Sequence, residues 1–160
     1  MSQKAASRPV MLLLSGPNLA LLGERQPEIY GTATLLDHVD RARRAASGLG
    51  FKLDHIQSEH ESELIEAVHH ARGSVAAIVV NAGALSHTSW ALHDALASFE
   101  GVVVELHLSN PDAREPWRRL SVLAPVVDGS VAGFGGLGYE LAVEGAARLV
   151  AGRLEAAGGA

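Results

Sequence analysis

Apolar residues along this chain fall into two rhythms. Val10–Ser15 is a near-continuous apolar run that stops at Gly16-Pro17, the pattern of a strand buried on both faces. Residues 51–57, 75–80, 102–108 and 129–133 read as four more strands, the last one short. Between them the period lengthens. Leu36, Val39, Ala42, Ala46 and Leu49 recur at helical spacing after Thr34, and Gly50 ends the series. Thr34 with Asp37 predicts a capping box, as does Ser58 with Glu61 ahead of Leu64, Ile65, Val68 and Ala71. Two further helices are expected over 89–99 and 138–154.

The order is β-α-β-α-β-α-β-loop-β-α. Strands apolar on both faces and separated by helices form a parallel sheet covered on both sides. The expected architecture is α/β: a flavodoxin-like, doubly wound, five-stranded parallel sheet of order 2-1-3-4-5 with helices on both faces. A single domain over 10–155 is expected, with a disordered N-terminal segment 1–9 and a frayed tail 156–160.

Composition narrows the functional classes. The chain has 160 residues, the size of one domain, and no cysteine, which excludes disulfides, a thiolate nucleophile, zinc–sulfur sites and iron–sulfur clusters. Its net charge of −5 gives no basic footprint for nucleic acid. The longest apolar runs fall far short of the roughly 20 residues that cross a bilayer, and residues 1–9 carry no apolar signal core. No membrane or nucleic-acid partner is expected, and the location expected is cytoplasmic. The eleven arginines against two lysines can reflect genomic base composition and carry no functional reading.

In an open parallel sheet, ligands bind beyond the carboxyl ends of the strands. Here the first strand is followed by Asn18, Arg25 and Tyr30, and the third by Asn81, Gly83 and His87. At the end of the fourth come Glu105, His107, Ser109 and Asn110, then Arg114, Arg118 and Arg119. The connection 16–34 is long for a βα loop and has glycines at Gly23 and Gly31; it is either a lid carrying Arg25 and Tyr30 or a solvated loop. Glu105 and His107 alternate along a strand and share a face, as a carboxylate-oriented acid–base histidine or as a salt-bridged strand end. The serines Ser86 and Ser89 precede a helix N-terminus that either receives an oxygen-rich ligand or is simply capped. The three arginines could bind a carboxylate or form a solvated patch. Gly133–Gly138 matches G-x-G-x-x-G, but no later strand offers an acidic residue to a ribose, so a tight turn accounts for it better than a nucleotide. No histidine set has metal-ligand spacing, so no metal is expected. A catalytically silent binding module remains the rival to an enzyme.

Four ordered segments resemble the type II 3-dehydroquinate dehydratases: 15–31 (SGPNLALLGERQPEIYG), 81–89 (NAGALSHTS), Glu105-Leu106-His107-Leu108-Ser109-Asn110 through Glu115, and Gly133-Phe134-Gly135 through Tyr139. The resemblance spans about 10–149. It implies a hydro-lyase that converts 3-dehydroquinate to 3-dehydroshikimate through an enolate, in the shikimate pathway or in quinate catabolism. It implies no metal, no cofactor and no Schiff-base lysine, and a homo-oligomer of trimers gathered into a dodecamer. Carried over by resemblance, Tyr30 is the base, Arg25 holds it as a phenolate, Asn18 helps stabilise the enolate, and His107, oriented by Glu105, is the acid. Asn81, His87, Ser109, the Leu108 backbone and Arg118 would hold the substrate, and Asp94 would reach a neighbouring subunit's site. Gln26, Trp90, His93, Asp112, Pro116, Trp117 and Leu120 depart from the usual family pattern, and none of them has a named chemical role.

Overall fold

The computed structural model describes residues 7–159; most of the segment 1–9 expected to be disordered, and the last residue of the expected tail, lie outside them. Five strands, β1 (Val10–Ser15), β2 (Lys52–Gln57), β3 (Ala77–Asn81), β4 (Val102–His107) and β5 (Gly129–Ala132), form one sheet in the order β2-β1-β3-β4-β5. Every pairing is parallel. The helices are α1 (Pro27–Tyr30), α2 (Leu35–Gly48), α3 (Glu61–Ala71), α4 (Trp90–Ala97) and α5 (Leu137–Gly158).

Strand alternation sends side chains to two cores. Met11, Leu13, Val79, Val104 and Leu106 face α2 and α5, where Val39, Ala42, Tyr139, Val143 and Ala146 are fully buried. Leu12, Leu14, Ile78, Val80 and Val103 face α3 and α4, against Leu64, Val68, Leu92 and Leu96. Each buried leucine or valine here contributes about 1.5–3 kcal/mol relative to exposure. Register fixes what lies at the carboxyl edge. Ser15 pairs with Asn81, and Val80 with Glu105. Asn18, Ala82 and His107 therefore stand just beyond one common level.

Local differences from expectation have local causes. The Thr34–Asp37 capping box forms: Thr34 Oγ1 accepts from Asp37 N at 3.2 Å, and Thr34 N donates to Asp37 Oδ2 at 2.8 Å. These bonds, the backbone one first, hold the exposed Asp37 carboxyl below its ordinary value. The Ser58–Glu61 box does not form. The helix starts later, with His60 as its N-cap, and the Ser58 hydroxyl bonds Glu63 while Glu61 takes the hydroxyl of Ser89. Ser89 instead caps α4, accepting from Leu92 N at 3.0 Å. The connection 16–34 is not structureless: it contains a 3-10 turn, Leu19–Leu21, and α1, which Pro27 opens. The last helix runs to Gly158, four residues past the expected end at 154, because Glu155, Ala156 and Ala157 are helix formers and Gly159 is its C-cap.

Candidate active site

A cleft opens at the carboxyl edge of β1, β3 and β4. Asn18, Arg25, Tyr30, Asn81, His87, His107, Leu108, Ser109 and Arg118 line it, together with Arg114. Nine of the expected site residues therefore meet in one place, although they come from segments up to a hundred residues apart. Glu105 lies behind the wall, 1% exposed, and reaches the cavity through His107. Asp94 is exposed on α4 and does not line this chain's cavity.

Asn18 follows the close approach of Gly16 to Ala82 and has a left-handed backbone, φ 67°. That conformation is uncommon outside glycine, and a charge-assisted bond secures it: Asn18 N donates to Glu59 Oε2 at 2.8 Å, while Gln57 Nε2 holds the other oxygen of Glu59 at 2.8 Å. Asn81 ends β3; its Oδ1 accepts from Gly83 N at 3.3 Å. His87 donates from Nδ1 to the Leu120 carbonyl at 2.7 Å, which leaves Nε2 free of that bond. Its ring stacks on His107 at 6.2 Å and meets the edge of Trp117 at 5.5 Å.

Tyr30 is the last residue of α1. The guanidinium on its hydroxyl is that of Arg114: Nη1 lies 2.7 Å from Tyr30 Oη, and the Arg114 carbon sits 5.3 Å from the ring centre. The same Nη1 reaches Ser109 Oγ at 3.3 Å. Arg25, expected by resemblance to hold Tyr30 as a phenolate, shares the cavity and makes no hydrogen bond to Tyr30; the guanidinium in contact with the phenol is that of Arg114. Sequence reading places Arg114 in the basic run after β4, but nothing in the spacing joins it to a tyrosine 84 residues earlier. Arg118 is held by Glu115 at 2.6 Å and lies 4.0 Å over Trp117. The exposed Glu115 carboxyl sits below its ordinary value through its own backbone N–H and then Arg118. Arg119 is exposed and lies outside the cavity lining.

His107 Nε2 is 2.8 Å from Glu105 Oε1, so the shared face expected from alternation produces a contact. The Gly133–Gly138 turn supports the same strand end. Gly133 N donates to His107 O at 3.3 Å and Gly135 N to Leu108 O at 2.8 Å. Two amides of the supposed nucleotide fingerprint are thus spent on β4. Behind Asn81, burial pushes the Tyr139 phenol up to about 12, opposed by the nearby Asn81 carboxamide, though no hydrogen bond closes on the hydroxyl. Tyr139 stacks on His38, ring centres 5.0 Å apart, and both His38 nitrogens lack partners.

The family described as dehydroquinase class II matches residues 9–147. The chain belongs to the class II dehydroquinase family. A 3-dehydroquinate dehydratase of Bacillus licheniformis is 49% identical over 135 residues, covering 84% of this chain and 93% of that protein. A catabolic 3-dehydroquinase of Verticillium alfalfae is 46% identical, covering 86% and 92% of the two chains. The crystal structure of type II dehydroquinase from Propionibacterium acnes superposes with a TM-score of 0.84 at 38% identity, covering 87% of this chain and 96% of that one. Membership in the dehydroquinases accounts for the convergence of two amides, a phenol, two imidazoles and three guanidinium groups at one sheet edge.

Proposed function

We propose that this dehydroquinase removes water from 3-dehydroquinate to give 3-dehydroshikimate through an enolate. The observation that carries the reading is the Tyr30 hydroxyl on the Arg114 guanidinium, in the same cavity as the His107–Glu105 pair. A guanidinium hydrogen-bonded to a phenol oxygen stabilises negative charge there. Tyr30 as phenolate takes the proton from the carbon next to the ketone. The electron pair moves onto the carbonyl oxygen, and Asn18, directly or through water, stabilises that charge. The enolate then collapses, the carbon–oxygen bond at the neighbouring carbon breaks, and His107, oriented by Glu105, protonates the departing hydroxyl.

Asn81, His87, Ser109, the Leu108 backbone and Arg118 hold the ring hydroxyls and the carboxylate. Arg25 rides on the 16–34 connection between Gly23 and Gly31, whose φ values of 92° and 80° suit a closing lid that excludes water. Side chains supply all of this chemistry, with no metal and no cofactor. Asp94, exposed on α4, serves a neighbouring subunit's cavity in a trimer, and four trimers form the working dodecamer in the cytoplasm. The reaction belongs to the shikimate pathway or to quinate catabolism.

The test is turnover without metal or cofactor, read as enone ultraviolet absorption after 3-dehydroquinate is added. Tyr30→Phe should lose about 10²–10⁴-fold in kcat, and full activity in that variant contradicts the assigned base. Calorimetric binding of substrate without product would favour the silent module. Light scattering reads the assembly: a monomer active at the same rate per chain would remove Asp94 from the site.

A further inference from the structure

Residues 120–124 have no part in the reaction as drawn, yet their polar atoms converge behind the cavity. Ser121 Oγ lies 2.7 Å from Glu105 Oε1, the same oxygen that His107 Nε2 reaches at 2.8 Å. The backbone N–H groups of Leu123 and Ala124 both donate to Ser121 Oγ, at 3.1 and 3.2 Å. A serine hydroxyl has two lone pairs and one proton. With both lone pairs taken by N–H donors, the proton has one destination, Glu105 Oε1. With Glu105 as a carboxylate, that oxygen offers lone pairs only. His107 Nε2, the second group on it, must then be a donor. The tautomer follows: Nε2 holds a proton, and Nδ1, which has no hydrogen-bond partner among the described residues, belongs to a ring that lines the cavity.

We propose that Ser121 is a positioning residue, the third member of a Ser121–Glu105–His107 array that locks the Nε2–H form of His107 and makes Nδ1 the nitrogen that delivers the proton to the leaving hydroxyl. This rests on the dehydratase reading and deepens it. The step balances. His107 enters as imidazolium with protons on both nitrogens. The carbon–oxygen bond breaks with its electron pair on oxygen, and the Nδ1 proton joins that oxygen to release water. The ring returns to its neutral Nε2–H form. The carbon-bound proton taken earlier by Tyr30 leaves to solvent, and solvent restores the proton on Nδ1.

The array needs Ser121 because Glu105 is 1% exposed, so its oxygens meet almost no water. A buried carboxylate is tolerable only when its lone pairs are served. The segment itself is anchored without the hydroxyl. Val122 N donates to Ser86 O at 2.8 Å, His87 Nδ1 to Leu120 O at 2.7 Å and His93 Nδ1 to Val122 O at 2.6 Å. Removing the hydroxyl is therefore a local change.

The experiment compares Ser121→Ala and Ser121→Thr in steady-state kinetics and in nitrogen-15 NMR of the histidine rings. Ser121→Ala should lower kcat by about 10- to 100-fold, the rate equivalent of one hydrogen bond to a charged group, with KM within about twofold. Ser121→Thr keeps the hydroxyl and should recover most of the loss. At neutral pH the His107 ring should be Nε2-protonated in the unaltered protein and a mixture of tautomers in Ser121→Ala. Unchanged kcat in Ser121→Ala, no recovery in a folded Ser121→Thr, or an Nδ1–H ring in the unaltered protein would each overturn the proposal. If the chain does not turn over 3-dehydroquinate, the dehydratase reading fails by itself, and the nitrogen spectra still decide whether Ser121 sets the tautomer.

Discussion

Gly16→Ala tests whether the site depends on the closeness of two strand ends. A Cβ on Gly16 would lie 2.5 Å from the Ala82 carbonyl oxygen, 2.7 Å from its carbon and 3.0 Å from its Cα. All three are backbone atoms, so no side chain can swing away. Ordinary contact begins near 3.4 Å, so the ends of β1 and β3 must part by about 0.9 Å in an interior packed as densely as an organic crystal. That movement would stretch the Gly16 N to Asn81 O bond, now 2.8 Å, beyond hydrogen-bonding reach. One lost backbone bond costs about 0.5–1.5 kcal/mol, and overpacking about 1–3 kcal/mol. The expected total of roughly 2–4 kcal/mol lowers Tm by about 4–16 °C in a domain this size. Asn18 and Asn81 sit on either side of the contact, and misplacement on the order of 1 Å costs about 100-fold in rate. Melting by circular dichroism and kcat/KM from enone absorbance at 25 °C measure the two effects. Gly48→Ala is the control: nothing lies within 4 Å of its added Cβ, and it should be neutral or slightly stabilising. A Gly16→Ala protein with unchanged Tm and kcat/KM within twofold would refute the reasoning.

Burial, first, then a neighbouring arginine hold His38 and His55 below the ordinary histidine value of 6.5. As pH falls through 6.5, the unfolded chain binds protons that the native chain refuses, so stability drops from there toward the lower native values and is flat above. Urea midpoints at about pH 7.5 and 5.5 should show this loss. His38→Leu, which removes a ring with two partnerless nitrogens, should shrink it; an undiminished loss would clear His38 of the effect. Thr34→Ala breaks the capping box and should cost about 1 kcal/mol in a denaturant melt, and a cost below a few tenths would mean the box is idle. Arg114→Ala should lower kcat by about 100-fold without large loss of stability. Arg25→Ala should also lose turnover with the fold intact, since Arg25 itself belongs to neither core, and a fully active Arg114→Ala would return the assignment to Arg25.

The sheet was legible because a buried parallel strand leaves a mark that needs no partner: a short apolar run closed by a turn. The Thr34–Asp37 box was legible for the same reason, both partners lying within one helical turn. Ser58 and Glu61 have that spacing too, yet Glu63 and Ser89 capture them, and Ser89 is brought close only when α3 packs beside α4. The end of α5 lies beyond the apolar periodicity, which fades after Leu154 while helix-forming Glu155, Ala156 and Ala157 continue. At the site, the edge rule gathered the cavity residues, since strand ends are set by topology. The Arg114–Tyr30, Glu59–Asn18 and Ser121–Glu105 bonds join residues 84, 41 and 16 positions apart, and no local pattern announces such pairs.

The last helix bears on how much of the chain the site needs. Tyr139, Ala142, Val143 and Ala146 of α5 have no exposed surface, and the turn just before them ties down the end of β4. A chain cut before Gly133 thus leaves α2 alone over one side of the sheet and the acid histidine unsupported. Truncation or proteolytic trimming into α5 should therefore abolish function well before it reaches any residue that touches substrate.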